Sequence, residues 1–225
     1  MPNVTVRGVY ANIRATPKMR QADVTLDLMA LWHKHPDWVA LNEAAKVRRY
    51  RKAVRRLFDH EDWRWLFLSR RMRNTILVRR EVLRTITGYS RVLNRGLPGV
   101  NPKRRASVVL LQHRATGHQF WLVNTHLPNG KDNPRKRARA WRVRAWDKAW
   151  RRLCGLLADL HATGLPVVLV GDLNDKDTPP PLERWWWASS NQRIVKVGST
   201  VRGTDTGILG GLATDHPGIV VRLPL

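Results

Sequence analysis

Val167-Val168-Leu169-Val170 is an unbroken apolar run, closed by Gly171 and followed at once by Asp172-Leu173-Asn174-Asp175. A short run without alternation reads as a strand buried on both faces. Such a strand needs a covering layer on each side, which restricts the chain to layered folds with an internal sheet. The run ends in two carboxylates and an amide, where an ordinary turn would serve the chain equally well.

The neighbouring segments supply the layers. Trp141, Ala145, Ala149, Leu153, Leu157 and Leu160 recur at spacings of three and four inside Asn133 to His161, predicting a long helix with one apolar stripe. Gly164 and Pro166 end it before the strand begins. Ala22 to Trp32 reads as a shorter helix carrying Val24, Leu28 and Leu31, and Ala44 to Phe58 as a basic one. Strands are predicted at Val4 to Ile13, Trp38 to Leu41, Asn74 to Val78, Val82 to Thr87, Arg193 to Val197 and Gly218 to Val221. A hairpin joins Ser107–Gln112 to Gln119–Thr125 around Ala115-Thr116-Gly117. Arg91 to Arg105, rich in Gly, Pro and Arg, reads as a loop. Strand–helix–strand units occur in both halves, no domain linker is visible, and 225 residues suit one domain over 1–225.

Several strand-like segments finish in residues able to bind a cation or move a proton: Asn12, Glu43, His126, and Asp172 with Asn174; Asp215-His216 stands just before another. In layered α/β folds, groups at strand ends converge on one crevice. Carboxylates and amide oxygens are hard donors that favour Mg²⁺ or Mn²⁺ over zinc. No cysteine cluster argues for zinc; the lone Cys154 cannot form an internal disulfide and suits a reducing compartment, here the cytoplasm.

The order Asn12-Ile13, Leu41-Asn42-Glu43, Asn124-Thr125-His126-Leu127, Gly171-Asp172-Leu173-Asn174, Thr214-Asp215-His216 resembles the endonuclease/exonuclease/phosphatase superfamily, which includes DNase I and the exonuclease III-type apurinic endonucleases. The resemblance runs from about residue 4 to 223. It implies an α+β fold, a four-layer αββα sandwich with its site at one end of two packed sheets. It also implies Glu43, Asn12 and Asp215 as metal ligands and Asp172 as the group that orients or deprotonates the attacking water. Asn174 and His216 would hold the phosphate, His126 would be a second catalytic histidine, and Pro128-Asn129-Gly130 resembles the apurinic-endonuclease loop. The aspartate that orients the histidine of the Asp-His motif would be Asp205, only ten residues before Asp215.

Charge points to the partner. Forty-one Lys and Arg against seventeen Asp and Glu give a net charge of +24, which repels itself in the folded state and calls for a polyanion. Between Lys131 and Arg152 stand ten Lys or Arg and only two Asp. Cations at a helix start oppose the macrodipole, so Arg135, Lys136 and Arg137 are not there to stabilise the helix. Trp141 and Trp38 are expected in the core, while Trp185, Trp186 and Trp187 cannot all face inward. The expectation is a monomeric Mg²⁺- or Mn²⁺-dependent nuclease acting on DNA, without a membrane segment. A phosphatase or phosphodiesterase for a smaller substrate, or a non-catalytic nucleic-acid-binding module, is the alternative.

Overall fold

Buried apolar residues on both faces of several strands require four layers, and the computed structural model has them. It describes residues 4–13, 21–43, 63–66, 74–96, 103–129, 140–175, 177–188, 195–209, 212 and 218–225. The predicted basic helix at Ala44 to Phe58, together with Asp215 and His216, lies outside them.

One sheet runs in the order β11-β12-β1-β2-β4-β3. Its strands are β1 (Thr5–Asn12), β2 (Trp38–Asn42), β3 (Trp63–Leu66), β4 (Asn74–Arg79), β11 (Asp205–Leu209) and β12 (Gly218–Pro224). The second runs β5-β6-β7-β8-β10-β9. It contains β5 (Leu83–Asn94), β6 (Arg104–His113), β7 (Gln119–His126), β8 (Val167–Asp172), β9 (Trp186–Ala188) and β10 (Val195–Ser199). Each sheet is antiparallel except for one central parallel pair, β1 with β2 and β7 with β8. Helix α1 (Gln21–Trp32) joins the first pair and helix α2 (Ala140–His161) lies in the connection of the second. The two halves thus repeat one arrangement, as parallel neighbours joined through a helix must.

Two-residue alternation assigns each side chain to a layer. Val6 and Tyr10 of β1, Trp38 and Ala40 of β2, Phe120 and Leu122 of β7, and Val168 and Val170 of β8 form the core between the sheets. Their sequence neighbours face outward. Val9, Ala11, Val39 and Leu41 pack under Leu28 and Leu31 of α1. Trp121, Val123, Val167 and Leu169 pack under α2, which contributes Trp146, Ala149, Trp150, Leu153, Leu156, Leu157 and Leu160. The order is therefore α1, sheet, sheet, α2, the four layers expected.

Two expectations change. Arg91 to Asn94 continues β5 and Arg104 opens β6, so the predicted loop is shorter than read, because pairing with β6 overrides the local composition. Trp141 is only half-buried, and Trp146 fills the place assigned to it. Among the described residues no helix is long and apolar enough to cross a membrane.

Gly8 explains how Trp38, fully buried, fits between the sheets. The two residues are register partners on β1 and β2, and a Cβ on Gly8 would stand 1.9 Å from the indole. Gly8→Ala is expected to cost about 1–3 kcal/mol through overpacking. A thermal or chemical unfolding curve coincident with wild type would show that the indole has room to move.

Candidate active site

The inward stripes that build the inter-sheet core change character at one end. After Val6 and Tyr10, β1 places Asn12 on the inner face; after Trp38 and Ala40, β2 places Asn42. After Phe120 and Leu122, β7 places Asn124 and His126, and after Val168 and Val170, β8 places Asp172. β4 begins with Asn74 before Ile76 and Val78. All of these polar residues are buried. Register aligns them, since Asn12 pairs with Asn42, Asn42 with Asn74, and His126 with Asp172.

Hydrogen bonds join the two sheets here. Asn42 Nδ2 donates to the Thr125 carbonyl at 2.7 Å and to the Tyr10 hydroxyl at 2.8 Å. Asn124 Nδ2 donates to the carbonyls of Leu41 at 3.2 Å and Thr75 at 3.0 Å. Asn74 Nδ2 donates to the Arg105 carbonyl at 2.5 Å, and Ser107 Oγ returns a bond to the Asn74 carbonyl at 2.7 Å.

Above this belt the chemical groups meet. Asp172 is held through both oxygens: Oδ2 accepts from Asn12 Nδ2 at 2.9 Å, and Oδ1 accepts from the Asn174 backbone N–H at 3.0 Å. The His126 ring lies between two carboxylates, with Nδ1 3.7 Å from Glu43 Oε1 and Nε2 3.7 Å from Asp172 Oδ2. Those separations are ion-pair distances, too long for direct hydrogen bonds. Asn174 Nδ2 donates to the Leu127 carbonyl at 3.0 Å, which ties the ends of β7 and β8 together and leaves the second amide hydrogen for another acceptor. Trp146 Nε1 donates to the Leu173 carbonyl at 2.6 Å, so α2 braces the same turn.

Two site residues adopt left-handed backbone. Among the described non-glycine residues only His35, Glu43 and Asn174 have positive φ, at 47°, 59° and 54°. Asn tolerates this region, but Glu does so at a cost, and such positions gather where a side chain must be aimed. Gly171 is required for a different reason. A Cβ there would stand 2.3 Å from the Thr125 carbonyl oxygen, so only glycine lets β8 approach β7 closely enough to set Asp172 beside His126.

The structure thus groups Asn12, Glu43, His126, Asp172 and Asn174. Asp205 stands apart from them. It opens β11 opposite Arg222, pairs with it at 2.8 Å and is exposed. The other end of that strand, Leu209, faces Gly218, four residues or about 13 Å of strand away. Asn42, Asn74 and Asn124 were not singled out from the sequence; their place on the inward stripe was the available signal.

Hard-donor chemistry at Glu43 and Asn12 fits Mg²⁺ or Mn²⁺, because such ions commonly take one or two protein carboxylates and fill the remaining positions with water and phosphate. Among the described residues no group of three His, Cys, Asp or Glu is arranged to hold a metal. Cys154 is no competing nucleophile: it is half-buried in α2, and burial pushes its thiol up to about 11.

Tyr10 lies beneath the site. Burial, then the Asp172 charge, raises its phenol well above the ordinary value, with Glu43 adding to the effect and the Asn42 bond opposing it. Because the folded-state value is raised, the contribution is intact below about pH 10 and is lost as pH climbs past it. Wild type should therefore lose stability relative to Tyr10→Phe as pH rises above about 10, read by denaturant unfolding at each pH. A difference between the two proteins that stays constant with pH would contradict this.

No protein-family model and no curated protein matches the sequence. Solved structures match its fold along the whole chain. An endonuclease/exonuclease/phosphatase family protein from Bacteroides thetaiotaomicron superposes with a TM-score of 0.77 at 13% identity, covering 100% of this chain and 99% of that one. Truncated TDP2 from Caenorhabditis elegans gives 0.77 at 13% identity, covering 98% of each chain. TDP2 from D. rerio, complexed with a single-strand DNA product, gives 0.72 at 14% identity, covering 97% of this chain and 98% of that one. The architecture is that of the DNase I-like sandwich, as the sequence resemblance implied.

Proposed function

We propose that the protein is a divalent-metal-dependent phosphodiester hydrolase, and that its substrate is nucleic acid, DNA first. The observation that carries the reading is the meeting of Glu43, His126 and Asp172 where the parallel pairs of both sheets end, with His126 3.7 Å from each carboxylate. The likeness to endonuclease/exonuclease/phosphatase structures supports the reaction class, the net charge of +24 supports a polyanionic substrate, and the D. rerio TDP2 complex supports DNA in particular.

Glu43 and Asn12, with Asp215 outside the described residues, would hold Mg²⁺ or Mn²⁺. When bound, that ion supplies positive charge to the phosphate oxygens and the leaving oxygen. The remaining work falls to the chain. Asp172, its carboxylate plane fixed by Asn12 and Asn174, orients a water and takes its proton as the water oxygen bonds to phosphorus and the bond from phosphorus to the leaving oxygen breaks, the leaving oxygen being protonated from solvent. Asn174 donates its second amide hydrogen to a non-bridging oxygen as negative charge builds there. His126, placed between Glu43 and Asp172, stabilises the same charge. His216 is assigned to the phosphate as well. Asp205 is left out of this set, its carboxylate being engaged by Arg222. The protein is read as a cytoplasmic monomer.

Supercoiled plasmid tests the reading. Wild type is expected to nick it with Mg²⁺ and to stop when the ion is chelated. Asp172→Asn, close in shape, should reduce the rate by about 10²–10⁴-fold. Equal rates for the two proteins at saturating Mg²⁺ would remove Asp172 from the mechanism. Plasmid left intact beside rapid turnover of a small phosphomonoester would move the substrate to the smaller class.

A further inference from the structure

A second feature lies at the same end of the molecule, two strands away. Asn94, Arg95, Trp141, Arg144, Lys148 and Arg152 line a cavity of ≈ 360 Å³ between the end of β5 and the first half of α2. That volume lies in the range of about 300–1,000 Å³ typical of ligand sites. Its floor is built. Asn94 Nδ2 donates to the Ala145 carbonyl at 3.0 Å, its Oδ1 accepts from the Gly96 backbone at 2.6 Å, and Arg152 Nη1 donates to the Leu93 carbonyl at 3.2 Å.

The charges are costly as arranged. Arg144, Lys148 and Arg152 stand at i, i+4 and i+8 on one face of α2. Like charges at that spacing destabilise a helix by about 0.2–0.5 kcal/mol per pair. Among the described residues no carboxylate lines the cavity, and none of the four cations has an ion-pair partner. Trp141 adds an aromatic wall, with the Arg142 guanidinium over its ring at 4.6 Å. Cations without counter-charges beside a half-buried indole are what a phosphate chain carrying a flat base requires.

Register fixes the relation to the candidate active site. Asn94 pairs with Arg104, and two residues on Ala106 pairs with Thr125, the neighbour of His126. The cavity is therefore at the same end of the sheet as His126, two strand spacings or about 10 Å away along the sheet, and on the face that packs under α2.

We propose that this cavity is a nucleic-acid subsite that grips a single-stranded stretch flanking the cleavage position. Arg95, Arg144, Lys148 and Arg152 hold phosphates, and an unpaired base stacks on Trp141. The inference rests on the reading of the neighbouring site as a nuclease, but its test does not depend on cleavage.

Binding of a labelled single-stranded oligonucleotide is measured by fluorescence anisotropy in chelator, over a series of salt concentrations. Arg144→Ala/Lys148→Ala/Arg152→Ala is expected to weaken it at least tenfold and to flatten the salt dependence. Trp141→Ala should weaken it about 5-fold or more, the loss of one stacked base, and leave a duplex of the same sequence unaffected. Arg84→Ala/Arg114→Ala, exposed cations at the opposite end of the sheet, sets the background for lost charge. If the triple variant loses no more per charge than this control, or Trp141→Ala binds the single strand as wild type does, the subsite is overturned. Arg144→Glu and Lys148→Glu singly, both at exposed positions, replace the triple variant if it unfolds. A wild type that binds through this cavity yet cuts no plasmid would overturn the nuclease reading and leave the subsite standing.

Discussion

The fold turns on a short belt of asparagines that sews one sheet to the other. Apolar contact between two sheets is strong but non-directional, and by itself it would let them slide or rotate over one another. Asn42 and Asn74 donate from the first sheet to backbone carbonyls of the second; Asn124 donates from the second to carbonyls of the first. In a buried setting each lost partner would leave a desolvated polar group costing about 1–3 kcal/mol, so sliding is penalised at several points together. The belt makes a two-sheet packing into a single register.

That register transmits position to chemistry. Glu43 follows Asn42 directly, and His126 is two residues past Asn124 on the same face. Bonds that place the asparagines therefore also place the ionisable groups, with no loop of free length between. Gly171 does the equivalent job within one sheet by removing the Cβ that would hold β8 away from β7. The unfavourable features are tolerated because they stand on this base: Glu43 and Asn174 in left-handed backbone, and His126 and Asp172 buried. Strain of about 1–3 kcal/mol per residue persists only where the surroundings over-determine the conformation.

Much of this can be read from the chain, because inward stripes with period two are written in it. Val-x-Gly-x-Tyr-x-Asn in β1, Trp-x-Ala-x-Asn in β2, Phe-x-Leu-x-Asn-x-His in β7 and Val-x-Val-x-Asp in β8 each run from apolar to polar on one face. What failed depended on geometry that spacing alone does not carry. A row at strict four-residue spacing drifts about 40° per step around an α-helix, since each residue turns about 100°. Trp141 and Leu157, four steps apart, therefore stand almost on opposite sides of α2, which is why Trp146 takes the buried place. Asp205 is ten residues from Asp215, yet the β11–β12 pairing sends it to Arg222 at the far end of the strand. The short strands β3, β9 and β11 carry too few residues for a pattern and exist through their partners.

The charge distribution holds a tension that bears on mechanism. The surface is overwhelmingly cationic, yet the residues gathered where the sheets meet include Glu43 and Asp172, whose charges are felt as far down as Tyr10. A field of +24 draws a polyanion toward the molecule from a distance, but bare carboxylates would turn away the phosphate that arrived. A protein that only bound nucleic acid would gain by replacing them with amides, as it already does at Asn12, Asn42, Asn74 and Asn124. Keeping two acids around one imidazole, against the sign of the whole surface, makes physical sense when a small hard cation stands between them and the substrate and a proton has to be moved. On the proposed reading, the acids inside and the bases outside are two halves of one requirement: long-range attraction for a chain of phosphates, and a local electrostatic inversion at the single phosphate to be cut.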